Sequence, residues 1–172
     1  MLALVKPFVD ICLLRLGPQH LPASGVLLGI VLLAHVLTTV ALATATHDVA
    51  GALLEGVLGT LVPCLLIAGT LYVQRFGARL MQTLAALAGT GTVINVIALP
   101  LASWLQGAPA PDGAGADLAR IAVLLLMGWS IAIAGHILRH AMSVPFIVGI
   151  VLALVFSWIS FVLVRAVVPA GI

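Results

Sequence analysis

The chain has 172 residues, of which 63% are hydrophobic and 7% are charged. Soluble domains carry about 25% charged residues, so this composition excludes a water-soluble fold. Lys and Arg exceed Asp and Glu by a net charge of +2 and form no basic run, which excludes a nucleic-acid partner.

The first 22 residues, MLALVKPFVDICLLRLGPQHLP, predict a short amphipathic helix followed by a loop. Lys6 and Asp10 share one helical face while apolar side chains cover the rest, a pattern typical of helices in the lipid headgroup region. A helix that packs against the bundle fits the same pattern. We assign residues 1–22 to a cytoplasmic interfacial helix and loop, and residues 23–172 to a transmembrane domain; the segment lacks a secretory cleavage site.

The rest of the chain divides into apolar stretches of membrane-spanning length. A bilayer core of about 30 Å requires roughly 20 apolar residues per helix. The sequence therefore predicts an all-α membrane bundle of five transmembrane helices, near residues 25–46, 50–72, 81–103, 118–139 and 143–168. The connection QGAPAPDGAGAD is predicted to be a flexible loop.

The placement of charge predicts the orientation, because Lys and Arg are enriched in cytoplasmic loops. Most cations fall on one side of the predicted membrane, namely Lys6, Arg15, Arg75, Arg79 and Arg139. The other side carries Arg120, Arg165, Asp48, Asp112 and Asp117. We therefore expect a bacterial inner-membrane protein with a cytoplasmic N-terminus and a periplasmic C-terminus. A cytoplasmic basic rim that meets anionic headgroups is predicted at His20, Arg75, Arg79, His136, Arg139 and His140.

Four polar residues fall inside the predicted spans. At 1.5 Å per residue, His35 and Ser130 lie roughly 14–15 Å from the cytoplasmic face, and Glu55 and Asn95 roughly 21–23 Å. Ionisable groups within a span suggest a functional site, but a buried hydrogen-bonded pair that fixes packing is an equally serious interpretation. A pairing of Glu55 with Asn95 fits either interpretation. For His35 we expect a neutral imidazole bonded to a hydroxyl such as that of Thr39.

The segment GWSIAIAGH invites comparison with intramembrane serine proteases. Ser130 and His136 stand about 9 Å apart along one helix and on different faces, so they cannot share a hydrogen bond. A pair of Ser130 with His35 is compatible with their depth, but no oxyanion donors are evident. We therefore expect no catalytic residues.

The histidines and cysteines give little support for a metal or haem. Haem ligation needs two histidines from different helices at one depth, and only His20 with His136 or His140 meets that condition. Cys12 and Cys64 lack metal-ligand spacing. The sequence thus predicts no metal and no cofactor.

Small residues recur along every span and allow helices to approach closely. Pro63 and Pro100 fall within spans and predict kinks that serve packing or act as hinges. The glycines expected to pack helices are Gly25, Gly29, Gly128 and Gly149. Partners expected from these surfaces are membrane lipids and another integral membrane protein or a second copy of the chain.

The layout resembles the Yip-type family, whose eukaryotic members interact with Rab GTPases and whose bacterial relatives have no known role. The resemblance rests on the N-terminal segment, five closely spaced spans and a third span that opens with a basic stretch, RFGARLMQTLAALAGTGTVINVIALPLASW. QHLPAS and GHILRHAMSVP look like family signatures of a bacterial membrane protein. The acidic Leu-Tyr-Gly motif of the eukaryotic members is absent, so the resemblance implies no GTPase binding.

The function that these observations favour is that of a non-enzymatic subunit, scaffold or lipid-organising protein of a membrane complex. The alternative is a small transporter or channel that uses Glu55, Asn95, His35 and Ser130 to pass a proton or a small solute. The two differ in whether those four side chains surround a cavity or close on one another in a dry core.

Overall fold

The computed structural model describes residues 2–107 and 114–168, and within these ranges the regular structure is entirely helical. The helices are α1 (Leu2–Cys12), α2 (Gly25–Ala43), α3 (Val49–Val73), α4 (Leu80–Gly107), α5 (Ala114–Met142) and α6 (Phe146–Val167). Short 3₁₀ turns occupy Pro18–His20 and Gly77–Arg79. Five helices, α2 to α6, are long and apolar enough to cross a membrane. The prediction of an all-α, five-span membrane protein is confirmed.

Polar residues between the spans set where two of the helices begin. The Ser24 hydroxyl accepts a hydrogen bond from the Leu27 amide at 3.3 Å and caps α2. Asp48 Oδ1 accepts one from the Gly51 amide at 2.9 Å and caps α3. Such caps satisfy amides that have no partner inside the helix, which an apolar membrane makes more important.

The five spanning helices form a closed ring. Around it run α2, α4, α5, α6 and α3, and α3 closes the ring by contacting α2. The contact between α3 and α6 is the least extensive of the five. We call the end of the ring with α1, both 3₁₀ turns and residues 143–145 the α1 end. The end with residues 44–48 is the opposite end.

The α1 end has a tightly packed interior. Leu71, Leu84 and Met142 are at most 9% exposed and meet at the centre of the ring, together with Leu138. The other buried cluster joins α1 to α4 and α5. Since helices in lipid gain little from apolar burial alone, close packing of this kind is a main source of bundle stability.

Helix α1 packs against the bundle. Phe8, Ile11 and Cys12 are buried on α4 and α5, while Lys6 is exposed and Asp10 is partly exposed. Burial also raises the pKa of the Cys12 thiol to about 11. Of the two interpretations of this segment, the structure supports the one in which its apolar face covers neighbouring helices.

The glycines divide into two groups that sequence spacing did not separate. A Cβ at Gly149 would collide with the backbone carbonyl of Gly135, so α5 and α6 approach closely at this pair. A Cβ at Gly25, Gly29 or Gly128 would meet no atom within 4 Å. Within this chain, the prediction that these three glycines pack helices is therefore wrong, because they lie on outward faces of their helices.

Candidate intramembrane cavity

A cavity of about 480 Å³ lies at the centre of the ring. All five spanning helices contribute to its wall, and so do all four polar residues singled out from the sequence: His35, Glu55, Asn95 and Ser130. Much of the remaining wall is apolar, with Ile94, Ile133 and Phe156 among the lining side chains. An apolar cavity with a few polar groups is typical of small-molecule sites.

The cavity extends towards the opposite end of the ring. Its floor includes Ile67 and Leu138, which lie roughly 6–9 Å from the α1-end termini of α3 and α5. Its upper wall includes Glu55 and Arg165, roughly 27–28 Å from that end. Because the α1-end core fills the ring below the floor, the cavity is closed on that side.

Asn95 ties α4 to α2 at the cavity wall. Its amide Nδ2 donates hydrogen bonds to the hydroxyls of Thr38 and Thr39, at 3.2 and 3.0 Å. Both hydroxyls in turn donate to the carbonyl of His35, at 3.0 and 2.8 Å. Asn95 therefore does not form the pair with Glu55 that equal depth suggested, since its side chain faces α2 rather than α3.

Glu55 instead pairs with a residue that the sequence did not single out. Its Oε2 lies 3.2 Å from Nδ1 of His47, which belongs to the connection between α2 and α3. The His47 side chain is 4% exposed and that of Glu55 is 32% exposed, so the pair lies partly open at the end of the cavity. The sequence carried one signal for this pair: His47 directly precedes Asp48, the cap of α3, and therefore lies next to the first turns of that helix.

His35 lies at the middle of α2 with its ring in the cavity wall. Its Nδ1 is buried and has no hydrogen-bond partner among the described residues. The expected bond from the imidazole to a hydroxyl is absent at Nδ1, and the Thr39 hydroxyl donates instead to the backbone carbonyl of His35. A Cβ at Gly91 would lie 2.7 Å from Cε1 of His35, so the glycine makes room for the imidazole.

Two serines of the cavity, Ser130 and Ser160, differ in their hydrogen bonding. Ser130 donates its hydroxyl hydrogen to the carbonyl of Met127 at 2.7 Å. No hydrogen bond joins Ser130 to a histidine in the described part of the chain. Ser160 Oγ is buried without a partner there. Unpaired buried polar atoms are rare in proteins, and here His35 and Ser160 bring two of them to one cavity.

The residues of the basic rim lie at the α1 end, but only some of them contact one another or the same segment. Arg79 Nη1 donates to the carbonyls of His140 and Ala141 at 3.1 Å and to the Ser143 hydroxyl at 2.8 Å. The rings of His136 and His140 stand 4.7 Å apart, and Arg139 Nε donates to His140 Nε2 at 3.3 Å. Arg75 stays exposed in the 74–79 connection and joins no such contact within the described residues.

His136, the buried histidine of this rim, bonds to the backbone of the segment that follows α1. His136 is 3% exposed, and its Nε2 donates a hydrogen bond to the carbonyl of Leu16 at 3.0 Å. Residues 2–107 and 114–168 contain no group of three side chains placed to hold a metal ion. Of the charged residues predicted for the other side, Asp112 lies outside the described residues.

Comparison with protein-family models, with curated proteins and with solved structures finds no match to this chain. The chain is a multi-pass membrane protein by its five apolar helices. The cavity and the residues around it are the features of the chain that bear on a more specific function.

Proposed function

We propose that the chain is a non-enzymatic membrane protein that admits a proton or a small solute into the intramembrane cavity, as a small transporter or channel does. The observation that carries the proposal is that His35, Glu55, Asn95 and Ser130, from four different helices, all line one cavity. A dry core of paired polar groups would not leave about 480 Å³ between them.

The polar groups suit a small solute with an apolar body and a polar group. The apolar wall would bury the body, while His35 Nδ1 and Ser160 Oγ offer hydrogen-bonding atoms that the protein leaves unused. The pair of Glu55 and His47 stands where such a solute would enter. Passage across the membrane also requires the α1 end to open, and Pro63, midway along α3, interrupts the backbone hydrogen bonding of that helix and could permit such a movement.

Flux through reconstituted protein tests the proposal. Proteoliposomes with an entrapped pH-sensitive dye report proton flux under a potassium diffusion potential, and light scattering reports glycerol entry. We expect flux of at least one probe above that of empty liposomes, and its loss in Glu55→Gln and His35→Ala. Asp117→Asn is a matched control, because Asp117 lies at the opposite end but outside the cavity, paired with Arg120 at 3.0 Å.

Absence of flux for both probes would contradict the proposal. If neither probe enters faster than in empty liposomes, and both cavity substitutions only lower the unfolding temperature in detergent, the polar groups serve packing. The reconstituted protein has to be monodisperse before and after extraction, so that absence of flux reports on a folded protein.

A second candidate, the membrane-complex subunit or scaffold, is favoured by one observation. Gly25, Gly29 and Gly128 present open backbone on outward faces, where a helix of a partner or of a second copy could approach closely. Extraction in mild detergent followed by mass measurement tests this candidate. A single stoichiometric partner or a homo-oligomer that Gly29→Leu disperses would support it, and a monomeric wild-type particle would oppose it.

The proposal includes the membrane in which the chain lies, its orientation there and its family. The excess of cations at the α1 end supports a cytoplasmic α1 end and a periplasmic opposite end in a bacterial inner membrane. The five-span layout with a preceding helix supports a place near the Yip-type family. In this orientation the cavity would face the periplasm.

A further inference from the structure

A smaller cavity of about 290 Å³ lies at the α1 end and shares no lining residue with the intramembrane cavity. Its wall comes from three separate segments, residues 18–19, 79–83 and 140–143. Gln19 belongs to the motif QHLPAS and residues 140–143 belong to the motif GHILRHAMSVP, to which the proposed transport function gives no role. The fold therefore brings both motifs to one pocket.

Side-chain hydrogen bonds hold the wall of this pocket together. Gln82 Nε2 donates to the carbonyl of Leu21 at 2.6 Å, which fixes the first segment against α4. Arg79 Nη1 reaches two carbonyls and a hydroxyl of residues 140–143. A guanidinium has five N–H groups, and no described residue accepts a hydrogen bond from Nε or Nη2 of Arg79. The arginine is thus held in position with donors left for a ligand.

The charge around the pocket has one sign. Asp10 is the one carboxylate among the described residues of the α1 end, whereas cations are numerous there: Lys6, Arg15, Arg75, Arg79 and Arg139. Both ion pairs between described side chains, His47 with Glu55 and Arg120 with Asp117, lie at the opposite end. No carboxylate of the described chain neutralises Arg79, so an anion would complete the pocket.

The pocket also lies at the level where lipid headgroups are found. It is formed where α4 begins and α5 ends, and Met81, next to its wall, is 47% exposed on the flank of the bundle. Arginine with neighbouring hydroxyl and amide groups binds phosphate well. We propose that the α1-end pocket binds the phosphate of an anionic phospholipid headgroup, with the acyl chains along the apolar flank of the helices.

Binding to the purified full-length chain in detergent tests this proposal by native mass spectrometry. The probes are phosphatidylglycerol, phosphatidylcholine and inorganic phosphate. We expect phosphatidylglycerol to bind, and Arg79→Gln to weaken its binding about tenfold through loss of charged hydrogen bonds. Arg15→Gln, the matched control, removes the same charge from an exposed position outside the pocket and should change the affinity less than about twofold.

Further variants separate loss of the site from loss of the fold. Arg79→Lys keeps the charge and should retain more binding than Arg79→Gln, and the unfolding temperature of each unliganded variant measures how far loss of the guanidinium hydrogen bonds loosens the wall. Equal weakening by Arg15→Gln and Arg79→Gln overturns the proposal in favour of diffuse attraction. Binding of inorganic phosphate that matches phosphatidylglycerol overturns the lipid and leaves free phosphate as ligand, and equal binding of phosphatidylcholine overturns the anion. None of these outcomes depends on flux through the intramembrane cavity.

Discussion

The two ends of the bundle use their polar residues in opposite ways. At the α1 end, Arg79, Gln82 and His136 all bond to backbone carbonyls of distant segments. In the other half, His35 Nδ1, His47 Nε2 and Ser160 Oγ are buried without a partner in the described chain. Polar side chains of the α1 end join distant segments, whereas the cavity half leaves these three buried polar atoms unsatisfied.

This difference shows how a small membrane protein can combine a firm fold with an open interior. An unpaired polar group buried in a membrane costs free energy, so it persists only where other contacts hold the surrounding helices in place. The apolar core of the α1 end and the close contact of Gly135 with Gly149 provide those contacts. The cavity half can then offer its polar atoms to a solute.

The largest effect should come from disturbing the packed half. In Gly149→Ala the new methyl group would collide with the Gly135 carbonyl, so we expect a loss of about 1–3 kcal/mol in unfolding free energy. Gly128→Ala places the same methyl group in open space and should be neutral or stabilising by up to about 1 kcal/mol. Unfolding of both variants in mixed micelles provides the comparison, and equal destabilisation would contradict the assignment of tight packing to the α1 half.

A smaller effect is expected from the hydrogen bonds by which Asn95 joins α4 to α2 at the cavity wall, which we call the Asn95 clamp. Asn95→Ala removes two interhelical hydrogen bonds and should cost about 0.5–1.5 kcal/mol. A double-mutant cycle with Thr39→Val measures the pair directly and should show coupling of about 0.5 kcal/mol or more. Ser103→Ala, which removes an exposed hydroxyl bonded within its own turn of α4, is the control and should change stability little. Additive effects of Asn95→Ala and Thr39→Val would show that the clamp does not form.

The smallest effect concerns an unpaired atom. Because Ser160 Oγ has no partner in the described chain, Ser160→Ala should leave stability unchanged or raise it slightly. Thermal unfolding in detergent without added solute measures the change. A loss above about 1 kcal/mol would mean that the hydroxyl does make a stabilising contact.

The sequence predicted the spans well because membrane crossing depends on length and hydropathy alone. Depth along each helix placed His35 level with Ser130 and Glu55 level with Asn95, since rise per residue is constant, and all four line the cavity. Pairing was missed because depth does not determine the rotation of a helix about its axis. Rotation turned Asn95 towards α2, and a loop residue, His47, reached Glu55.

The same limitation explains the glycines and the two motifs of the α1 end. Spacing shows which small residues share a face, but it does not show whether that face meets a helix, as at Gly149, or lipid, as at Gly29. The segments around His20 and His140 are far apart in sequence, and only the ring order of the helices brings them to one pocket.

The central claim is that the cavity is reached from the opposite end of the bundle, and the thiol of Cys64 provides a probe within it. Cys64 is half-buried and lines the cavity, whereas Cys12 is buried where the end of α1 packs against the bundle. With a thiol pKa of about 11, Cys12 should react slowly at neutral pH. A small, charged, membrane-impermeant methanethiosulfonate therefore reports mainly on Cys64.

The measurement is the rate of Cys64 modification from each side of sealed vesicles. Thr44→Cys and Arg75→Cys, each in a Cys64→Ala background, identify the side of the opposite end and the side of the α1 end. We predict that Cys64 reacts from the same side as Thr44→Cys and faster than Cys12, because only Cys64 lines the cavity. Reaction of Cys64 only from the side of Arg75→Cys, or from neither side in folded protein, would contradict the claim.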